Sequence, residues 1–142
     1  MDAEKLVERV AQAADEKKGL DIVRIAVGEV SVLADYFVLI TGQSRTQVRA
    51  IAAGIVDEIK LEDRIPRHLE GLGDASWVLQ DFGDVIVHVF LAQEREFYRL
   101  EAFWGHAPRH RYAAEPTPHW EELVPLTPPR RSDATEEGEL AR

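Results

Sequence analysis

Tyr36-Phe37-Val38-Leu39-Ile40-Thr41-Gly42-Gln43-Ser44-Arg45-Thr46-Gln47 is the stretch that decides the fold. Its first six residues are apolar or β-branched and carry no charge, which predicts a strand more buried than the one before it. Ser44 and Gln47 then form a capping box, in which each side chain satisfies a backbone donor of the other. The helix that opens there places Val48, Ile51, Ala52, Ile55 and Ile59 on one stripe. A buried strand running into an amphipathic helix is half of a crossover, so another strand should lie beside the first.

Working outward, Asp2 can cap an earlier helix with Ala3, Leu6, Val7, Val10, Ala13 and Ala14 at helical spacing. Lys17 and Lys18 suit its C-terminal end, and Gly19 suits a left-handed stop. Asp21 to Val27 reads as a strand, with a turn over Gly28 to Ser31. Downstream, residues 61–75 hold Pro66, Gly71 and Gly73 and form a connection, with room for a short edge strand near Arg67 to Leu69. Trp77 to Phe82, Gly83-Asp84 and Val85 to Phe90 make a hairpin. Glu94 to Trp104 reads as a last helix with Phe97, Leu100, Phe103 and Trp104 along one side. The predicted fold is α/β, a single domain with a mixed sheet packed by helices, in the order α-β-β-α-(β)-β-β-α.

The chain has 142 residues and a formal charge of −9. Its longest stretches free of Asp, Glu, Lys and Arg are only nine residues, far short of the roughly 20 that a membrane span needs. The first 18 residues have no apolar core of a secretory signal. Zero cysteines exclude disulfides, thiolate metal sites and a cysteine nucleophile. A soluble, cytoplasmic protein is expected. Acidic residues outnumber basic ones without a basic patch, so phosphate backbones repel it and direct sequence-specific nucleic-acid binding is not expected. A basic partner, or an apolar one with a basic rim, fits better. Six of the seven prolines fall in the last 35 residues, and the end, RRSDATEEGELAR, has a disordered composition. These features predict a domain over residues 1–105 and a proline-rich, partly disordered tail over 106–142.

Several patterns bear on chemistry. Asp81-Phe82-Gly83 spells a kinase magnesium motif, but no glycine-rich loop, strand lysine or catalytic loop accompanies it. Thr41 to Ser44 leads into a helix N-terminus, which attracts anions, yet it lacks the phosphate-loop pattern. His106, His110 and His119 resemble metal spacing, but Pro108 interrupts them and no further ligand completes a site. No metal or cofactor is expected. With a two-residue turn at Gly83-Asp84, residues 77, 79, 81, 86, 88 and 90 share one face, and Asp81 is a diagonal neighbour of His88. That pair could serve acid–base chemistry, or simply orient the imidazole. The same face carries Trp77, Leu79, Ile86 and Phe90; it reads either as core under a helix or as a binding patch anchored by Trp77 and rimmed by Asp81 and Asp84.

Taken together, Ala34 to Ser44, Glu70-Gly71, Trp77 to Phe90, Arg95 to Glu101 and Trp104 resemble the ribosomal silencing factor (Iojap-like) family in the same order. The resemblance implies a nucleotidyltransferase-like fold without the catalytic motif: no Asp-x-Asp occurs here, and Asp81 and Asp84 flank a turn. It implies a translational repressor, not an enzyme, that binds the large ribosomal subunit through ribosomal protein uL14 and blocks joining of the small subunit. Carried onto matching positions, Trp77, Asp81, Asp84, Val85 and His88 form the interface, with Tyr98 and Glu101 as further candidates. The rival readings are a nucleotide-binding transferase using the Gly42 turn with Asp81 and His88, and a homodimer pairing through the hairpin face.

Overall fold

The computed structural model describes residues 1–28 and 34–124. Asp2 opens α1 (Ala3–Glu16), its carboxylate accepting the Lys5 N–H at 2.9 Å, and the apolar stripe from Leu6 to Ala14 is buried. The left-handed residue after the helix is Lys18, at φ 63°, not Gly19. Gly19 answers a different need: a Cβ there would lie 2.8 Å from Ile40 Cγ2. β1 (Leu20–Ala26) follows, and β2 (Tyr36–Gly42) returns antiparallel to it. The turn expected over Gly28 to Ser31 lies largely outside the described residues.

α2 (Arg45–Lys60) is capped by Ser44, whose Oγ accepts the Gln47 N–H at 3.1 Å. The reciprocal arm of the capping box is displaced by one residue. Gln47 Oε1 accepts from the Gln43 N–H at 2.6 Å, while its Nε2 donates to the carbonyls of Lys17 and Lys18. One side chain thus ties the start of α2 to the end of α1. Then come β3 (His68–Glu70), β4 (Trp77–Asp81) and β5 (Val85–Leu91). The α2 crossover makes β2 and β5 parallel, and the other pairs are antiparallel. The described sheet has the order β3-β4-β5-β2-β1-β6-β7.

Two expectations need correction. The single last helix is two short ones, α3 (Ala92–Tyr98) and α4 (Leu100–Phe103), divided at Arg99 with φ 44°. The break lets Arg95 and Glu101 pair through two bonds, at 3.1 and 3.2 Å. On a continuous helix, residues six apart would stand about 9 Å apart along the axis and on different sides. Phe97 and Phe103 therefore face solvent, each 77% exposed, and only Leu100 and Trp104 of the expected stripe pack inward.

The second correction is the boundary at residue 105. β6 (Arg109–Ala113) pairs with β1, and β7 (His119–Leu123) pairs with β6, so the sheet runs well past Gly105. Pro108, Pro116 and Pro118 sit before and between these strands, where a missing N–H breaks no ladder bond. Tyr112 is buried, and Trp120 donates from Nε1 to Glu8 on α1 at 2.7 Å beneath the Arg24 guanidinium. The disordered end expected after Pro129 lies outside the described residues.

The helices α1 and α2 cover one sheet face, burying Val38, Ile40, Val78, Val85, Val87 and Val89. The opposite face buries Val23, Ile25, Phe37, Leu39 and Phe90 beneath Leu100, Trp104 and Ala107. Because Trp120 joins the first of these cores, Trp120→Ala should lower stability by about 2 kcal/mol or more in urea denaturation. A loss under about 0.5 kcal/mol would show that β7 is peripheral to the fold.

Candidate functional site

The hairpin closes through the Phe82 N–H, which donates to the Val85 carbonyl at 2.9 Å and leaves Gly83-Asp84 as the expected two-residue turn. Gly83 takes φ 97°, where a side chain would be strained. Asp81 pairs opposite Ile86, Leu79 opposite His88 and Trp77 opposite Phe90, as this turn requires.

Two arginines from the connection after α2 hold the tip. Arg64 Nη2 donates to the Phe82 carbonyl at 2.8 Å and to Asp84 Oδ1 at 2.7 Å. Arg67 Nε donates to Asp81 Oδ1 at 3.2 Å, and the same oxygen accepts the Gly83 N–H at 2.7 Å. The acidic rim expected at Asp81 and Asp84 is thus largely answered from within the chain. These arginines gave no motif in the sequence; their only signal was a position just before a carboxylate-bearing hairpin.

His88 does not bond Asp81. It accepts, through Nδ1, the Trp77 Nε1–H at 3.0 Å, its other diagonal neighbour on β4. The ring is only 6% exposed and meets Phe37 edge-on at 5.5 Å. Burial pushes its pKa down to about 4, so it is a neutral acceptor at pH 7. The transferase reading loses its acid–base pair here. Its phosphate site is weakened too, because Gln47 and Ser44 side chains already take the Gln43 and Gln47 N–H groups at the helix entrance.

Trp77 is half-buried. Its ring lies 4.8 Å from that of Tyr98, which meets Phe97 at 4.9 Å, and both of these are exposed. Half-buried Leu79 and Ile86 continue the surface along the hairpin. The structure therefore brings Trp77, His88 and Tyr98 together. Asp81 and Asp84 stand at the tip, about 13 Å along β4 from Trp77. Glu101 belongs to a third group, bound by Arg95. Val85, expected at the interface, is fully buried in the core shared with α1 and α2, so its side chain offers no surface. Phe97, expected on one side of the last helix with Leu100, Phe103 and Trp104, extends the aromatic surface instead of packing beside Leu100 and Trp104.

Among the described residues, no group of three His, Asp or Glu is placed to hold a metal ion, and no helix is long and apolar enough to cross a membrane. The features define a small mixed α/β domain whose distinctive surface is a partly exposed cluster of Trp77, Tyr98 and Phe97. A sequence model of the family described as "Ribosomal silencing factor during starvation" matches residues 1–140. The chain is 41% identical over 108 residues to ribosomal silencing factor RsfS of Bacillus subtilis (strain 168), covering 76% of this chain and 92% of that protein. It is 39% identical over 103 residues to chloroplastic protein Iojap of Zea mays, covering 69% of this chain and 42% of that one. A crystal structure of a Chromobacterium violaceum protein matches with a TM-score of 0.72 at 32% identity, covering 74% of this chain and 88% of that one. The chain belongs to the ribosomal silencing factor family.

The depressed pKa of His88 has a consequence for stability. Between about pH 6.5 and 4 the unfolded chain binds a proton there that the folded chain refuses, so folding weakens as pH falls through that window. The full effect is about 3 kcal/mol, present at neutral pH and lost near pH 4. Urea midpoints measured from pH 7 to 4.5 should fall less steeply in His88→Gln than in wild type. Equal slopes would mean that His88 titrates normally.

Proposed function

We propose that the chain represses translation by binding the large ribosomal subunit through ribosomal protein uL14 and denying the small subunit its docking face. Family membership supports the ribosomal direction of this reading. The observation that carries the placement is the continuous aromatic surface of Trp77, Tyr98 and Phe97, extended by Leu79 and Ile86. Aromatic residues seated beside apolar neighbours are the usual anchors of protein interfaces. A chain of net charge −9 also favours a protein contact over bare phosphate.

In this reading Trp77 and Tyr98 touch the partner. His88 holds the indole in place from beneath, Asp81 and Asp84 keep the tip shaped through Arg67 and Arg64, and Glu101 keeps α3 and α4 in register through Arg95. Val85 contributes by packing alone. Repression needs no catalytic step and no cofactor, since the bound protein acts by its volume. It would operate in the cytoplasm, where subunits join. A second copy pairing through the same face would compete with the ribosome for it.

Co-sedimentation with isolated large subunits tests the placement. Trp77→Ala should fold and lose about 2 kcal/mol of binding, roughly thirtyfold in affinity. Phe97→Ala, which removes an exposed ring, should weaken binding without lowering the urea midpoint. Wild-type affinity in both folded variants would put the interface elsewhere.

A further inference from the structure

A cleft of about 450 Å³ opens between the α3–α4 segment and the sheet, with Arg95, Arg99, Arg109 and Arg111 facing Asp21, Glu96 and Glu101. Four guanidiniums in one cleft run against the acidic character of the whole chain. Arg109 is buried and Arg95 half-buried, their side chains 9% and 12% exposed. They share one carboxylate. Arg95 takes both oxygens of Glu101 at hydrogen-bond distance, whereas Arg109 Nη1 stands 3.8 Å from Oε2, too far for a bond. Arg95 is further anchored by the Asp21 carbonyl at 2.7 Å and the Thr41 hydroxyl at 2.9 Å.

Arg109 is the anomaly. Among the described residues its one hydrogen bond runs from Nη2 to the Val124 carbonyl at 2.9 Å, and its buried Nε has no acceptor. A desolvated guanidinium without its own anion is costly, and one carboxylate does not neutralise two of them. Arg111 and Arg99 add charge at the rim, held among the described residues by exposed pairs: Arg111 to Asp21 at 3.8 Å and Arg99 to Glu96 at 3.3 Å. The cleft also lies outside the carboxyl ends of the parallel strands β2 and β5, marked by Thr41 and Ala92, where α/β sheets commonly place ligands.

We propose that this cleft binds a small phosphorylated molecule, whose phosphate supplies an anion to Arg109, which has no hydrogen-bonded carboxylate among the described residues. Guanidinium forks match phosphate oxygens two at a time, and the four arginines outnumber the three lining carboxylates, so an anion is drawn to Arg109 and the rim arginines. The volume exceeds that of a lone phosphate and falls in the range of small-molecule sites, which leaves room for an organic body.

Pyrophosphate and inorganic phosphate, titrated into the protein at ionic strength fixed with sodium chloride, test this through the arginine Nε–Hε NMR signals and the unfolding midpoint. Pyrophosphate should shift the Arg109 signal saturably and raise the midpoint, and Arg111→Gln and Arg99→Gln, both at exposed positions, should each raise its Kd tenfold or more. Citrate should bind more weakly than pyrophosphate. The proposal fails if millimolar pyrophosphate does no more than chloride of equal ionic strength. It fails also if both variants bind as wild type does, or if citrate matches pyrophosphate, which would make the ligand a carboxylate.

Discussion

The hydrogen bond between the Phe82 N–H and the Val85 carbonyl governs which side chains face where across the β4–β5 half of the sheet. It closes the hairpin over two residues, and a strand has a side-chain period of two, so one residue more in the turn would reverse every side chain of one strand relative to the other. Arg64 and Arg67 hold that tip from the neighbouring connection. With the parity fixed, Val78, Val85, Val87 and Val89 meet α1 and α2, and Trp77, Leu79, Ile86 and His88 are committed to the other face. Leu100, Trp104 and Ala107 pack over the β1–β2 side of that face. Trp77, Leu79 and Ile86, toward the β3 edge, keep part of their surface in solvent.

The aromatic surface is pre-organised by the same arrangement. A tryptophan free to rotate loses that freedom on binding, and the loss subtracts from affinity. Here the indole is fixed from beneath by a hydrogen bond to a neutral imidazole and from the side by Tyr98. The imidazole can accept that bond because burial keeps it unprotonated at neutral pH. Tyr98 is placed by α3, whose own position depends on Arg95 reaching Glu101, the Asp21 carbonyl and the Thr41 hydroxyl.

Local features were legible in the sequence. The helix caps at Asp2 and Ser44, the stripe of α2 and the hairpin register all depend on residues a few positions apart, and the structure has them. The parity that groups 77, 79, 81, 86, 88 and 90 also puts Val85 on the opposite face. Val85 entered the candidate site by resemblance alone, and its burial follows from the hairpin. The partner of His88 was not legible, because it has two diagonal neighbours and the twist of the sheet selects between them. The break at Arg99 was hidden as well: a left-handed arginine is tolerated here for a pairing across six residues, which no helical periodicity announces. The strands β6 and β7 were lost to the density of prolines, whose positions before and between strands matter more than their number.

Oxidative footprinting of the chain, alone and bound to isolated large subunits, tests the central claim most directly because it reads individual side chains. Trp77, Phe97 and Tyr98 should become protected in the complex, while Leu61 and Ile65, exposed after α2, keep their reactivity. Protection of Leu61 and Ile65 with Trp77, Phe97 and Tyr98 unchanged would contradict a docking face on the hairpin.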